Sequence, residues 1–212
     1  MKTNLLFLVV LTVFTFSFSS CETDDAELQP LGSVTVIPPF VVDGAPIIIN
    51  EVLYDPSNNG LDGDANGDGN YSQDDDSFIE LFNASVADVD LGGYEIWDDT
   101  TSGSNQYTFP ANSILPSKGA LVVFGGGTPT GTFGGATILN AISGFNFNNS
   151  GEVIGIKDAS GAWAFIFNSD ELSGNPNESY TRNPDITGAF VQHTDNSALL
   201  FSPGTRNDGT SF

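Results

Sequence analysis

Basic residues are nearly missing from this sequence. Among 212 residues only 5 are Lys or Arg, against 27 Asp or Glu, giving a formal net charge of −22. Affinity for nucleic acid comes largely from Lys and Arg neutralising phosphates, so a nucleic-acid partner is excluded. Direct attraction to an anionic membrane surface is disfavoured for the same reason. With 1 His and 1 Cys, one chain cannot assemble a multi-His or Cys-cluster zinc or iron site. No apolar run reaches the roughly 20 residues that a spanning helix needs. No window shows a 3.6-residue apolar stripe three turns long, so amphipathic helices are not the building unit.

What the chain does contain is apolar residues at 39%, aromatics at 11%, 24 Gly and 11 Pro. The apolar share supports a folded core despite the charge, and the Gly and Pro content favours turns over helices. Short runs rich in β-branched and aromatic residues recur between Gly, Pro, Asn and Asp clusters. They are 47–53, 78–82, 93–97, 106–109, 120–124, 153–157, 162–167 and 189–193. Asp158–Gly161 reads as the turn of a hairpin joining 153–157 to 162–167. Many short strands without helices imply an all-β sandwich over residues 45–212.

A long acidic insert, residues 55–76, separates the first two strands and holds seven aspartates. Within it, Asp64 to Asp75 has the register of a twelve-residue calcium loop, with oxygen side chains at positions 1, 3 and 5 and Gly69 at position 6. Calcium takes six to eight oxygens, and alternate residues of a tight turn aim at one point. The expected ligands are Asp64, Asn66, Asp68, the Asn70 carbonyl, Ser72 directly or through water, and Asp75. Position 12 is usually Glu, and Asp62, Asp74 and Asp76 are alternatives to Asp75 there. Because the loop lies between strands, it is expected without flanking helices, as a structural staple rather than a switch.

The N-terminus reads as an address. Met1-Lys2-Thr3-Asn4, an apolar run from Leu5 to Phe18 and Ser19-Ser20 form a secretory signal over 1–20. Phe18-Ser19-Ser20-Cys21 resembles the lipobox of bacterial lipoproteins, with Phe18 where Leu is usual. The resemblance implies that Cys21 is lipidated and anchors the protein to a membrane through acyl chains. Glu22-Thr23-Asp24-Asp25 resembles the surface-export signal of Bacteroidetes lipoproteins, implying an outer-membrane, cell-surface location. Residues 21–44 then form the lipidated cysteine and a Pro-containing tether.

Three further segments carry a family resemblance: Ile48-Ile49-Asn50-Glu51-Val52-Leu53-Tyr54-Asp55-Pro56, Asp76-Ser77-Phe78-Ile79-Glu80-Leu81-Phe82-Asn83, and Val89 to Asp98. Together with Asn148–Glu152, Ser179–Pro184 and Phe201–Asn207 they resemble a lamin tail domain across residues 46–210. The resemblance implies an immunoglobulin-like β-sandwich, found in bacteria as a secreted or surface module, with no catalytic residues to carry over.

The enzyme search is otherwise negative. His193 lacks a nearby nucleophile elbow, and Gly125-Gly126-Gly127, without a following Gly-Lys-Ser/Thr, reads as a mobile loop. The aromatics Tyr94, Trp97, Tyr107, Phe109, Trp163 and Phe165 are either core or a carbohydrate platform. Asn50, Glu51 and Glu80 interrupt apolar strands, as edge residues or as supports of the metal loop. The expectation is a non-enzymatic, lipid-anchored cell-envelope module with structural calcium, acting in adhesion or scaffolding toward an unknown protein or glycan. The alternatives are a carbohydrate-binding accessory lipoprotein and a hydrolase of unknown type.

Overall fold

A computed structural model of the chain describes residues 47–170, 172 and 176–212. The chain divides into two units, Met1–Val36 and Ile37–Phe212. The signal expected at 1–20, Cys21 and the tether at 21–44 lie outside the described residues. No helix among the described residues is long and apolar enough to cross a membrane.

The strands are β1 (Ile47–Leu53), β2 (Phe78–Asn83), β3 (Val89–Asp90), β4 (Glu95–Asp98), β5 (Asn105–Thr108) and β6 (Ile114–Leu115), followed by β7 (Ala120–Phe124), β8 (Thr137–Asn140), β9 (Val153–Lys157), β10 (Trp163–Asn168), β11 (Tyr180–Asn183) and β12 (Ala189–Gln192). They form an immunoglobulin-like β-sandwich. One sheet has the order β12-β11-β1-β2-β7-β8, the second β10-β9-β4-β5, and β3 pairs with β6. All pairings are antiparallel except β7 with β8, which is parallel. The Asp158 turn closes its hairpin as expected, with the Asp158 and Ala162 backbones bonded at 2.9 Å and Gly161 at φ +85.

Four strands had no clear signal. β3 and β6 are two-residue ladders, β8 follows a glycine-rich stretch, and β11 carries polar Thr181, Arg182 and Asn183. The insert also holds a one-turn helix, α1 (Gln73–Asp76), where no helix was expected. Ser72 caps it: its hydroxyl accepts the Asp75 N–H at 3.3 Å.

Strand alternation sorts the core. Ile79 and Leu81 of β2, Leu121 and Val123 of β7, Ile96 of β4, and Ile154 and Ile156 of β9 fill the space between the sheets. In β1 the alternation changes parity. Ile47 and Ile49 point inward, the ladder with β2 skips Asn50, and Val52 then resumes the inward set. The bulge at Asn50 is why apolar spacing in this strand shifts by one residue.

The opposite face of the six-stranded sheet is also dry. Leu53, Phe78, Val122 and Phe124 form a second cluster with Ala65 of the insert, joined by Phe133, Ile138 and Phe201. Phe82 meets the C-terminal Phe212 at 4.9 Å. The sheet is therefore covered on both faces, by the insert and by the C-terminal segment on the outer one. We predict that Phe78→Ala, although on this outer face, costs about 3–5 kcal/mol, as for an inner core phenylalanine. Val86→Ala, at a position 89% exposed, should stay within about 0.5 kcal/mol. Urea unfolding of both variants is the check, and equal small effects would contradict a covered outer face.

Candidate functional site

Two polar constellations occupy the covered face of the six-stranded sheet. The first is the acidic insert. Asp64 Oδ1 and Asn66 Oδ1 accept the same Asp68 N–H at 3.1 and 2.9 Å, and Asp64 Oδ2 accepts the Gly69 N–H at 2.9 Å. Asp68 Oδ1 accepts the Asn70 N–H at 2.9 Å. Gly67 at φ +70 and Gly69 at φ +88 supply left-handed bends. The sequence-expected residues Asp64, Asn66, Asp68 and Asn70 are thus wound into one tight turn, their oxygens satisfied by successive backbone N–H groups.

Ser72 and Asp75 behave differently. The Ser72 hydroxyl is used in capping α1, and Asp75 turns toward Gly126. The acid that folds back beneath the loop is Asp76, fully buried, accepting the N–H of Asn66 at 3.1 Å and of Ser72 at 2.8 Å. Burial, reinforced by the charges of Asp64 and Asp68 and offset by these two hydrogen bonds, raises the Asp76 carboxyl to about 6. No group of three or more His, Cys, Asp or Glu side chains that could hold a metal ion occurs among the described residues.

The run Gly125–Gly127, which read as a mobile loop, is the seat on which this insert rests. Gly125 N–H bonds the Ser77 carbonyl at 2.9 Å and Gly126 N–H the Asp75 carbonyl at 3.1 Å. Asp68 Oδ2 accepts the Thr128 N–H at 3.0 Å. A Cβ at Gly125 would collide with the Asp74 carbonyl, one at Gly126 with the Asp75 carboxylate, and one at Gly127 with Asn66 and Asp68. These glycines are required by close approach of the insert, not by phosphate binding.

The second constellation was not legible as a unit. Glu51 and Glu80 are directly opposite in the β1–β2 ladder and fully buried. Glu51 Oε1 accepts from the Ser179 hydroxyl at 2.6 Å and the Ser202 N–H at 2.8 Å, and Oε2 accepts from the Ser202 hydroxyl at 2.7 Å. Glu80 accepts from Asn50 Nδ2 at 2.8 Å and the Gly204 N–H at 2.6 Å. The Asn50 carbonyl oxygen in turn accepts the Ile186 N–H at 2.7 Å. These three polar residues, read as edge or loop supports, instead fasten the C-terminal segment and the β11–β12 connection to the sheet.

His193 lies against the same group, with Nδ1 2.8 Å from the Leu199 carbonyl and Nε2 2.9 Å from the Ser202 hydroxyl. A carbonyl only accepts, so Nδ1 carries hydrogen. The Ser202 hydroxyl has one proton for two neighbours. Either it goes to Glu51 and Nε2 donates to Ser202, or Glu51 is protonated and Ser202 donates to Nε2. The proton count is the same in both. Ser, His and Glu recur here in the residue types of a hydrolytic triad, but the acid is bonded to the serine rather than to Nδ1. Ser202 is 4% exposed, and His193 and Glu51 are 0% exposed, so no substrate reaches them.

Burial raises both glutamates. For Glu51 the nearby His193 and the Ser179 and Ser202 hydrogen bonds pull it back down. For Glu80 the charge of Glu51 adds to burial, and it is raised well above its ordinary 4.5.

The aromatics separate into two sets. Tyr94, Tyr107, Phe109 and Phe165 pack on the core between the sheets. Trp97 and Trp163 stand on the outer face of the four-stranded sheet, with ring centroids 6.3 Å apart.

This architecture, two antiparallel-rich sheets around one core with an inserted acidic loop, defines an immunoglobulin-like structural module. The family model of the lamin tail domain matches residues 43–167, more than half of the chain. The chain belongs to the lamin tail domain family, whose members are non-enzymatic immunoglobulin-like domains. The match ends within β10, so β11, β12 and the C-terminal segment complete the sheet beyond it. A search among curated proteins found no match.

Burial and the charge of Glu51 hold the Glu80 carboxyl well above its ordinary 4.5, so above that pH the folded chain binds a proton there more readily than the unfolded chain. The Glu80 contribution is therefore present at lower pH and declines as pH rises through the raised native value, by at most about 1.4 kcal/mol per pH unit. We predict that unfolding free energy measured from pH 5 to 8 falls less steeply in Glu80→Gln than in the parent, by about one proton. Parallel slopes would count against a protonated Glu80.

Proposed function

We propose that the chain is a non-enzymatic, lipid-anchored cell-envelope module whose acidic insert binds calcium as a structural brace, serving adhesion or scaffolding. The anchor rests on the sequence around Cys21, where an apolar leader ends at the chain's one cysteine. Membrane attachment then comes from acyl chains, which a chain of net charge −22 needs, since headgroup electrostatics repel it.

The observation that carries the calcium reading is the convergence of Asp64, Asn66 and Asp68 on one backbone turn, with Gly69 at the bend. Hydrogen bonds from backbone N–H groups hold these side chains in place before any ion arrives, which lowers the ordering cost of binding. Asp64, Asn66, Asp68 and the Asn70 carbonyl would hold the ion, and Asp75 or Asp76 would close the shell. The chemistry supplied is charge neutralisation: it relieves repulsion among crowded aspartates that the rest of this acidic chain cannot offset. Because the insert rests on Gly125–Gly127 and supplies Ala65 to the outer cluster, fixing the loop also fixes the cover over that sheet. A scaffold exposed outside the cell gains resistance to opening rather than a switch.

Extracellular modules bind calcium at about 0.1–1 mM, so 1 mM calcium should stabilise the protein by about 0.4–1.4 kcal/mol. The expected result is a thermal midpoint raised by about 1–5 °C in calcium relative to chelator. Asp64→Asn with Asp68→Asn should remove that response, each protein being compared with itself in calcium and in chelator because these carboxylates also accept backbone N–H groups. Calorimetry showing neither binding heat nor a shift in the parent would refute the calcium reading. Loss of membrane partitioning in Cys21→Ser tests the anchor separately.

A further inference from the structure

We propose that the outer face of the four-stranded sheet is a binding site for a neutral hexopyranose unit, with Trp163 as the stacking platform and Lys157 and Glu95 as its hydrogen-bonding pair. The face is built by alternation. Ile96 of β4 and Ile154 and Ile156 of β9 point into the core, which turns Glu95, Trp97, Gly155 and Lys157 outward. A Cβ at residue 155 would run into Cζ3 and Cε3 of Trp163, so the indole lies down on the glycine. One ring face is thereby taken by the strand, and the residue keeps 38% of its surface exposed. An indole that is only core material has no need of a side-chain-free seat on the solvent side of a sheet.

The polar groups around it are arranged for a ligand of hydroxyls. Glu95 and Lys157 are direct cross-strand partners, yet they do not pair with each other. The one ion pair among the described residues is His193 with Glu51. Instead Trp97 separates the two: its Nε1–H bonds Glu95 Oε2 at 2.8 Å, and Lys157 Nζ stands 3.4 Å above its ring centroid. Lys157 Nζ is also 4.6 Å from the Trp163 centroid. The ammonium, close to both indoles, has no hydrogen-bond acceptor among the described residues, and the carboxylate accepts from one N–H. A donor and an acceptor held apart over an aromatic floor match sugar hydroxyls, each of which both donates and accepts. The C–H face of a pyranose ring supplies the apolar partner for the indole. The −22 charge of the chain disfavours polyanionic glycans, so the site selects a neutral sugar.

Isothermal titration of the purified protein with cellohexaose, xylohexaose, mannohexaose and laminarihexaose tests this, with trigalacturonate as the acidic comparison. Binding of at least one neutral hexasaccharide is expected at a Kd of about 10 µM–1 mM, as befits an open, shallow site. Trp163→Ala and Lys157→Met should each weaken it about tenfold, with Trp163→Phe intermediate. Near-ultraviolet circular dichroism of Lys157→Met and Trp163→Phe serves as the control for folding. Absence of heat with all four neutral sugars would overturn the proposal. So would affinity unchanged in Lys157→Met and Trp163→Phe, or preference for trigalacturonate. None of these outcomes bears on the calcium reading, whose residues lie in a different part of the molecule.

Discussion

Glu51 and Glu80 face one another across neighbouring strands, both fully buried, and much of this molecule is arranged around that fact. Two carboxylates at the centre of a sheet are costly unless every oxygen is met by a donor or a proton. Asn50 supplies one donor from β1, and the others come from far along the chain: Ser179 just before β11, and Ser202 and Gly204 from the C-terminal segment. The segment that satisfies the carboxylates also brings Phe201 onto Leu53, Phe78 and Phe124. Polar satisfaction and apolar burial on this face are thus supplied by one segment. The same requirement explains why Ser202, His193 and Glu51 form a closed relay instead of a reaction centre: each group's bonds are spent on holding the strap.

The insert applies a related principle at the other end of the sheet. Its aspartates are costly to crowd, and the fold lowers that cost with backbone N–H groups, those of Asn66 and Ser72 meeting the buried Asp76 itself. The glycine run beneath it lets backbone approach backbone where any side chain would intervene. On the reading proposed above, calcium finishes the neutralisation that hydrogen bonds begin. The insert and the strap cover adjoining parts of one sheet face, so bracing one supports the other through the shared outer cluster.

Much of the fold could be read from residue pattern. Strands β1, β2, β7, β9 and β10 announce themselves because β-branched and aromatic residues alternate or run together between turn formers. The tight turn through Asp64, Asn66 and Asp68 could be read because the spacing of Asp, Asn and Gly is a local property. β3, β6, β8 and β11 could not: two-residue ladders carry no periodicity, and polar Thr181 and Arg182 look like a loop until their partners are known. The bulge at Asn50 reverses inward and outward positions within a single strand, a change that depends on the register with β2.

What the sequence determined by itself is therefore local: strand-forming runs, turns, the tight winding of the acidic loop, a scarcity of basic residues, and the motifs of its family. Tertiary structure alone decided which polar residues are buried, that three glycines are a seat rather than a mobile loop, and which aromatics are left outside. The physical reason is distance along the chain. Glu51 and Ser202 are 151 residues apart, and no local window records that one will supply the other's hydrogen bonds.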